Sequence, residues 1–352
     1  MSSSHETDVV IIGAGPVGLF AIFQCGMLRM RCHVVDALEM VGGQCAALYP
    51  EKPLYDIPAY PTISGEDLIK NLGTQAAPFS PIFHLNQHVL EITSHKKEDG
   101  EERWCIRTSQ NVEIVSKAII IAAGVGAFGP NRPPLEHLHF YEGKSIFYRV
   151  QKREDFRGKK VMIAGGGDSA LDWAVSLSEV ADKIWMVHRR DKFRGSPEML
   201  SRLEALSKTG NVEILTPYQL FELEGIAPEG VLKAVHLQRM DGLMARIETD
   251  VLLPFFGLSM NLGPIAEWGL NLDKNHIAVN PATTETSTPG IFAIGDVAAY
   301  PGKLKLILTG FAEAACAAHA IFPKVFKGEV LHFEYSTSKG VPNKGFEQIG
   351  NN

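Results

Sequence analysis

The sequence predicts an α/β protein built on two parallel sheets with helices on their faces. Three observations predict it. An apolar run ending in a glycine turn occurs twice, as Val9-Val-Ile-Ile12 before Gly13-Ala-Gly-Pro-Val-Gly18 and as Val161-Met-Ile-Ala164 before Gly165-Gly-Gly-Asp-Ser-Ala170, at an offset of 152 residues. Each turn leads into a helix-like segment, Leu19 to Leu28 and Leu171 to Val180, and then into a second strand-like run, Arg31 to Asp36 and Lys183 to His188. This is a strand–helix–strand unit written twice, and right-handed crossovers of that kind imply parallel strands covered by helices. Size agrees: 352 residues leave room for two domains, and 45% hydrophobic with 21% charged residues excludes disordered, collagen-like and disulfide-scaffold chains.

Charge and cysteines narrow the class further. A net charge of −6 argues against a broad nucleic-acid-binding surface. The five cysteines, Cys25, Cys32, Cys45, Cys105 and Cys316, form no C-x-x-C, and so sparse and odd a set suits a reducing compartment. Residues Met1 to Asp8 have neither the basic nor the apolar segment of a signal peptide. The longest apolar stretch, Ile114 to Pro130, is broken by Lys117 and three glycines, so no membrane span is predicted. The expectation is a cytoplasmic protein. Twelve histidines show no metal-ligand spacing, and no metal is predicted.

Each glycine turn fits the dinucleotide fingerprint. In the first, Gly13 permits the tight turn, Gly15 lets backbone approach a pyrophosphate, Pro16 starts the helix and Gly18 lets helix and strand pack closely. In the second, Gly165 and Gly167 take the first two roles, and Asp168 and Ser169 open the helix. A helix N-terminus offers free N–H groups and a positive dipole end to phosphates. One such turn could be an ordinary loop; two, each between a strand and a helix, point to two Rossmann-like domains. The end of the second strand separates them. Asp36 stands 23 residues after Gly13, where an acid accepts from a ribose diol and repels a 2′-phosphate. The same offset from Gly165 reaches His188, followed by Arg189, Arg190 and Arg194. Guanidinium forks match phosphate oxygens, so this site is expected to take NADP(H), unless the arginines are only a solvated basic loop.

Two further segments are strand-like and end in glycine: Lys117-Ala-Ile-Ile-Ile-Ala-Ala-Gly124 and Thr288-Pro-Gly-Ile-Phe-Ala-Ile-Gly-Asp296. By composition they are equally hairpin turns or nucleotide contacts. Taken with the two turns, the chain resembles the two-dinucleotide-binding-domain flavoproteins, with an FAD turn first and an NADP turn second. The resemblance implies that Asp296 contacts FAD and that His188 to Arg194 forms the 2′-phosphate site seen in thioredoxin reductases.

Cysteine placement selects a branch. Thioredoxin reductases carry C-x-x-C just before the second turn, where this chain reads Ser145-Ile-Phe-Tyr-Arg-Val-Gln151. Glutathione and lipoamide reductases carry C-x-x-x-x-C after the first unit, where Cys45 is followed five residues on by Pro50. The chain instead resembles the thioredoxin-reductase-like ferredoxin–NADP⁺ reductases, through Gly42-Gly-Gln-Cys-Ala-Ala-Leu-Tyr-Pro-Glu-Lys52, the second turn, His188 to Arg194 and Tyr335-Ser-Thr-Ser338. That resemblance implies FAD contacts at Asp36, Gln44, Tyr49, Val89, Gly124, Phe128, Asp296, Tyr335 and Thr337. Tyr49 and Tyr335 would cover the two faces of the flavin, the latter from the other subunit of a homodimer. It further implies an electron partner, ferredoxin or flavodoxin, and no membrane or nucleic-acid partner.

The expected architecture follows from motif order: an FAD domain of residues 1–125 and 253–352, an NADPH domain of 126–252 inserted in it, and a C-terminal extension from about 331. Gly124 to Gly126 and Pro254 to Gly257 are the candidate hinges. The chemistry expected is FAD-mediated transfer between hydride and single electrons, with no side-chain acid or base assigned. Other readings of the same residues are a quinone reductase, a peroxide-reducing oxidase working through Cys45, and a non-catalytic NADPH sensor. A basic cluster, Arg149, Lys152, Arg153, Arg157, Lys159 and Lys160, is either a docking patch for an acidic partner or a solvated loop.

Overall fold

The computed structural model describes residues 4–96, 102–331 and 340–341. The chain divides into two compact units, one of residues 1–128 and 260–352 and one of residues 129–259. Both are built on parallel sheets, as the repeated strand–helix–strand pattern predicts.

The first unit centres on a five-stranded parallel sheet in the order Ile291–Ala293, Ala118–Ile121, Val9–Ile12, Cys32–Val35, Ile82–His84. Val9–Ile12 and Ala118–Ile121 read as unbroken apolar runs because both faces of the sheet are covered. Alternation then divides the side chains between two cores. Val9, Ile11 and Ile120 join the helices Pro16–Met27, Gly65–Ala76 and Ile307–Val325. Val10, Ile12, Ile119 and Ile121 pack with Val89, Ile106 and Ile114. Those last residues belong to a four-stranded sheet ordered Ser4–Glu6, Glu113–Ser116, Glu102–Thr108, Val89–Lys96.

The second unit holds a four-stranded parallel sheet in the order Val212–Leu215, Lys183–Val187, Lys160–Gly165, Val251–Phe255. Its helices are the short Leu138–Tyr141, Asp168–Leu177 and Pro197–Thr209. Met162, Ala164, Val187 and Leu252 pack with Leu232, Val235 and Leu237, which lie on an antiparallel sheet of Tyr218–Ile226, Val231–Arg239 and Met244–Glu248.

The chain returns to the first unit later than the sequence suggests. Residues 253–255 continue the strand Val251–Phe255, which pairs in parallel with Lys160–Gly165 from Val161 opposite Val251 to Gly165 opposite Phe255. They therefore belong to the second unit. Pro254 stands inside this strand opposite Ala164. The strand lies at the sheet edge, where a missing N–H is tolerated. Within the first unit the outgoing and returning segments meet: Gly126 bridges Asn261, and a Cβ at Gly126 would fall 2.1 Å from the Asn261 carbonyl oxygen.

Candidate dinucleotide sites

In the first unit Gly13, Asp36, Gly124 and Asp296, four of the expected site residues, follow the carboxyl ends of the parallel strands. The Gly13 N–H donates to the Val35 carbonyl at 2.8 Å, which ties the turn to the neighbouring strand. Gly13 has φ +111°, and a Cβ there would meet the Ala122 carbonyl oxygen at 2.3 Å, so only glycine fits. Asp36 is buried over this turn. Its Oδ2 accepts from the Ala14 N–H at 2.5 Å and its Oδ1 from the Leu38 N–H at 2.8 Å. Burial raises the Asp36 carboxyl above its ordinary value, and the two N–H donors pull it back.

The helix Pro16–Met27 starts at Gly15 with no side-chain cap, and a Cβ on Gly15 would meet only the Gly43 Cα, at 3.9 Å. Pro16 and Gly18 stand at the helix start as expected, and a Cβ on Gly18 would strike the Gly13 carbonyl oxygen at 2.0 Å. Two serine-capped helices make the contrast. Ser64 accepts from the Asp67 N–H at 3.0 Å, and Ser196 from the Met199 N–H at 3.4 Å. At Gly15 and Gly167 no side chain accepts from the first backbone N–H groups of the helix.

Gln44, Cys45 and Tyr49 come from the short helix Gly43–Ala47 and its end. The Gly42 N–H donates to the Ala14 carbonyl at 2.8 Å, so this segment is fastened to the first turn. The Gln44 Nε2 lies 3.6 Å from the place of a Cβ on Gly124. The Cys45 thiol donates to the Tyr49 hydroxyl at 3.7 Å. Burial pushes the Cys45 thiol up to about 11 and the Tyr49 phenol up as well, and the charge of Asp296 adds to both. Asp296 thus belongs to the same neighbourhood. A thiol so protonated is a poor peroxide nucleophile, which disfavours the Cys45-dependent reading. Val89 points its side chain into the core, so any ligand contact there is through the main chain. Phe128 lies in the strand Ala127–Pro130. Tyr335 and Thr337 lie outside the described residues.

The second unit repeats the turn. The helix Asp168–Leu177 starts at Gly167, again with no side-chain cap, and no atom lies within 4 Å of the place of a Cβ on Gly167. Gly165 packs against the Phe255 carbonyl oxygen, 2.7 Å from its Cβ position. The loop after the second strand folds back over the turn. The Arg194 N–H donates to the Gly166 carbonyl at 2.7 Å, and the Ser196 N–H to Asp168 Oδ1 at 3.1 Å. The Asp168 carboxylate is thus engaged by the loop, beside Ser169 in the first helical turn. Arg189, Arg190 and Arg194 are exposed.

His188 differs from the three arginines. It is buried, its ring stacks on Phe193 with centroids 5.2 Å apart, and it fills the space beside Gly166. Burial, then the charges of Arg194, Arg189 and Arg190, lower its pKa, and its Nε2 has no hydrogen-bond partner. His188 is therefore a neutral ring supporting the turn, with one polar atom unsatisfied.

Sequence reasoning missed two features. The middle glycine, Gly166, is required because a Cβ there would lie 2.2 Å from His188 Cε1. Glu313 is a buried carboxylate in the last helix that accepts from the Gly295 N–H at 2.7 Å. Its signal was a single acid within the alanine-rich run Phe311-Ala-Glu-Ala-Ala-Cys-Ala-Ala318. Three of the six residues of the basic cluster form ion pairs within their own unit: Arg153 with Glu179 at 2.8 Å, Arg157 with Glu154 at 2.7 Å and Lys160 with Glu248 at 3.4 Å. This weakens it as a docking patch. A cavity of about 290 Å³ lies elsewhere, lined by His5, Arg31, Cys32 and Ile82 among others at the amino ends of the strands. Among the described residues no group of three His, Cys, Asp or Glu side chains is placed to hold a metal ion.

A family profile described as pyridine nucleotide-disulphide oxidoreductase matches residues 7–318. The chain belongs to that family. This pyridine nucleotide-disulphide oxidoreductase is 59% identical over 340 residues to the ferredoxin--NADP reductase of Paramagnetospirillum magneticum, covering 97% of this chain and 99% of the relative. It is 57% identical over 341 residues to that of Rhodospirillum rubrum, covering 97% and 98%. Among solved structures, the oxidoreductase fold matches the thioredoxin reductase of Lactococcus lactis in its FR conformation with a TM-score of 0.77 at 24% identity, over 91% of this chain and 99% of that one. The T. acidophilum thioredoxin reductase matches with the same score and identity, over 90% and 98%. At that identity the likeness concerns the fold alone.

Proposed function

We propose that this protein is an FAD-dependent ferredoxin–NADP⁺ oxidoreductase that moves electrons between NADP(H) and ferredoxin or flavodoxin without a redox disulfide. The observation that carries the reading is the pair of glycine-started helices with opposite chemistry beside them: a carboxylate at Asp36, and the arginines 189, 190 and 194. Near-full-length likeness to proteins named ferredoxin--NADP reductase supports the partner.

The residues fit both nucleotides. With no side-chain cap at Gly15 or Gly167, the first backbone N–H groups of both helices are left for two pyrophosphates. Asp36 keeps lone pairs for a ribose diol beyond the two N–H groups it accepts. Gln44, Tyr49, Gly124 and Asp296 would hold the rest of FAD, with Val89 and Phe128 contributing from their strands. Arg189, Arg190 and Arg194 would take the 2′-phosphate, and His188 would support them from beneath. Bound FAD supplies the exchange between a hydride and single electrons. The chain's part is to bind, orient and exclude thiol chemistry, since Cys45 stays protonated. The reading extends to a cytoplasmic homodimer in which the extension from about 331, with Tyr335 and Thr337, reaches the flavin of the other subunit.

Stopped-flow mixing tests the function. NADPH should bleach the flavin, and oxidised ferredoxin should restore it. Reduction of thioredoxin instead, or a flavin that NADPH leaves oxidised, would overturn the reading.

A further inference from the structure

The last helix, Ile307–Val325, presents an apolar, alanine-rich face to the core, yet carries one carboxylate there. The Glu313 side chain is 5% exposed and that of Lys303 is 7% exposed. Glu313 Oε2 accepts from the Gly295 N–H at 2.7 Å, and Oε1 accepts from the Tyr300 hydroxyl at 2.6 Å and from the Lys303 ammonium. The ammonium also faces the Tyr300 ring, 5.5 Å from its centroid. A buried ion pair therefore fastens three things at one point: the helix, the loop before it and the turn Gly295–Asp296. Stability alone is a weak reason for this arrangement, because desolvation offsets most of the attraction in a buried pair. Its location is informative. Gly295 immediately precedes Asp296, and the pair is a fixed source of charge at that turn.

We propose that Glu313 and Lys303 form a positioning and field-balancing device for FAD: Glu313 holds the Gly295 N–H so that Asp296 meets the cofactor, and Lys303 cancels the carboxylate's charge beside it. The inference rests on FAD binding at Asp296. Its signature is electrostatic. Lys303→Met leaves a lone anion near the cofactor, which disfavours electron gain and lowers the flavin midpoint potential. Glu313→Gln keeps the shape and leaves a lone cation, which raises it. The double variant is neutral and returns toward wild type. Tyr300→Phe keeps both charges, so FAD should leave faster while the potential stays in place.

The test is anaerobic titration of each FAD-loaded protein against reference dyes, with FAD retention on dialysis read from flavin absorbance. Opposite shifts in the single variants and their cancellation in the double variant support the device. Shifts of the same sign, or none, in FAD-loaded proteins overturn it and leave the function standing, because a scaffold role loosens FAD without signed shifts. Wild-type protein that holds no FAD overturns the function and the device together. Should Glu313→Gln fail to fold, the fall in Lys303→Met and its reversal in the double variant decide the matter.

Discussion

At the scale of single residues, the two turns differ in what sits beneath them. In the first, Asp36 accepts from the Ala14 N–H; in the second, a neutral His188 ring fills the place beside Gly166. Gly166→Ala should therefore force the ring aside and loosen the loop that carries the arginines. NADPH binding should weaken while FAD content stays normal, measured by nucleotide titration of the FAD-loaded protein. Arg189→Ala with Arg190→Ala removes charge but no support. Each lost charge-assisted contact should cost about 1.5–3 kcal/mol in NADPH binding and leave NADH nearly unchanged. Equal losses for the two nucleotides would remove the arginines from the 2′-phosphate site. Cys45→Ser should hold ferredoxin turnover near wild type, because the buried thiol has no step to perform.

At the scale of elements, strand order brings together residues far apart in the chain. His5, His33 and His84 come from three strands, and His33 Nδ1 lies 3.0 Å from His84 Nε2. The three ring centroids are 5.2–5.4 Å apart. Burial, then His84, His5 and Arg31, push His33 from its ordinary 6.5 down to about 4. Burial, then His5, lower His84 too. The folded state thus binds fewer protons than the unfolded chain between these values. Stability is intact above pH 6.5 and falls as pH drops toward 4. Thermal unfolding followed by circular dichroism should give a Tm that declines across this window, less steeply in His33→Gln. Equal slopes for the two proteins would contradict the cluster's role. No spacing of histidines in the sequence reveals this cluster, because it exists only once the sheet is ordered. The parallel strands and their helices were legible, since glycine turns and apolar runs are local signals. The return crossing was not, because Pro254 reads as a breaker until its strand is placed at a sheet edge. Glu313 stands out in the sequence only as one acid in an alanine-rich run; its partners Gly295, Tyr300 and Lys303, 10 to 18 residues away, were not legible.

At the scale of the whole molecule, the chain leaves the first unit and returns to it at neighbouring points. Gly126 and Asn261 are bridged, and both belong to that unit. A short glycine-rich linker from Phe128 to Met260 should therefore close the first unit on itself. The shortened protein should retain FAD, accept electrons from dithionite and fail to be reduced by NADPH. Flavin absorbance after gel filtration checks the first claim and anaerobic mixing the other two. An excised protein that still responded to NADPH would place the second nucleotide outside residues 129–259.

Three helices of this protein are begun by glycine, at Gly15, Gly42 and Gly167, and two by serine, at Ser64 and Ser196. A serine cap contributes about 1 kcal/mol from the chain itself. At Gly15 and Gly167 that share is left to a visitor, and a ligand at about one hundred times its Kd stabilises the folded state by about 2.7 kcal/mol. Durability then becomes a report on vitamin supply. Apoprotein should be digested faster by a dilute protease than the FAD-loaded form, with NADP⁺ adding protection around residues 165–196.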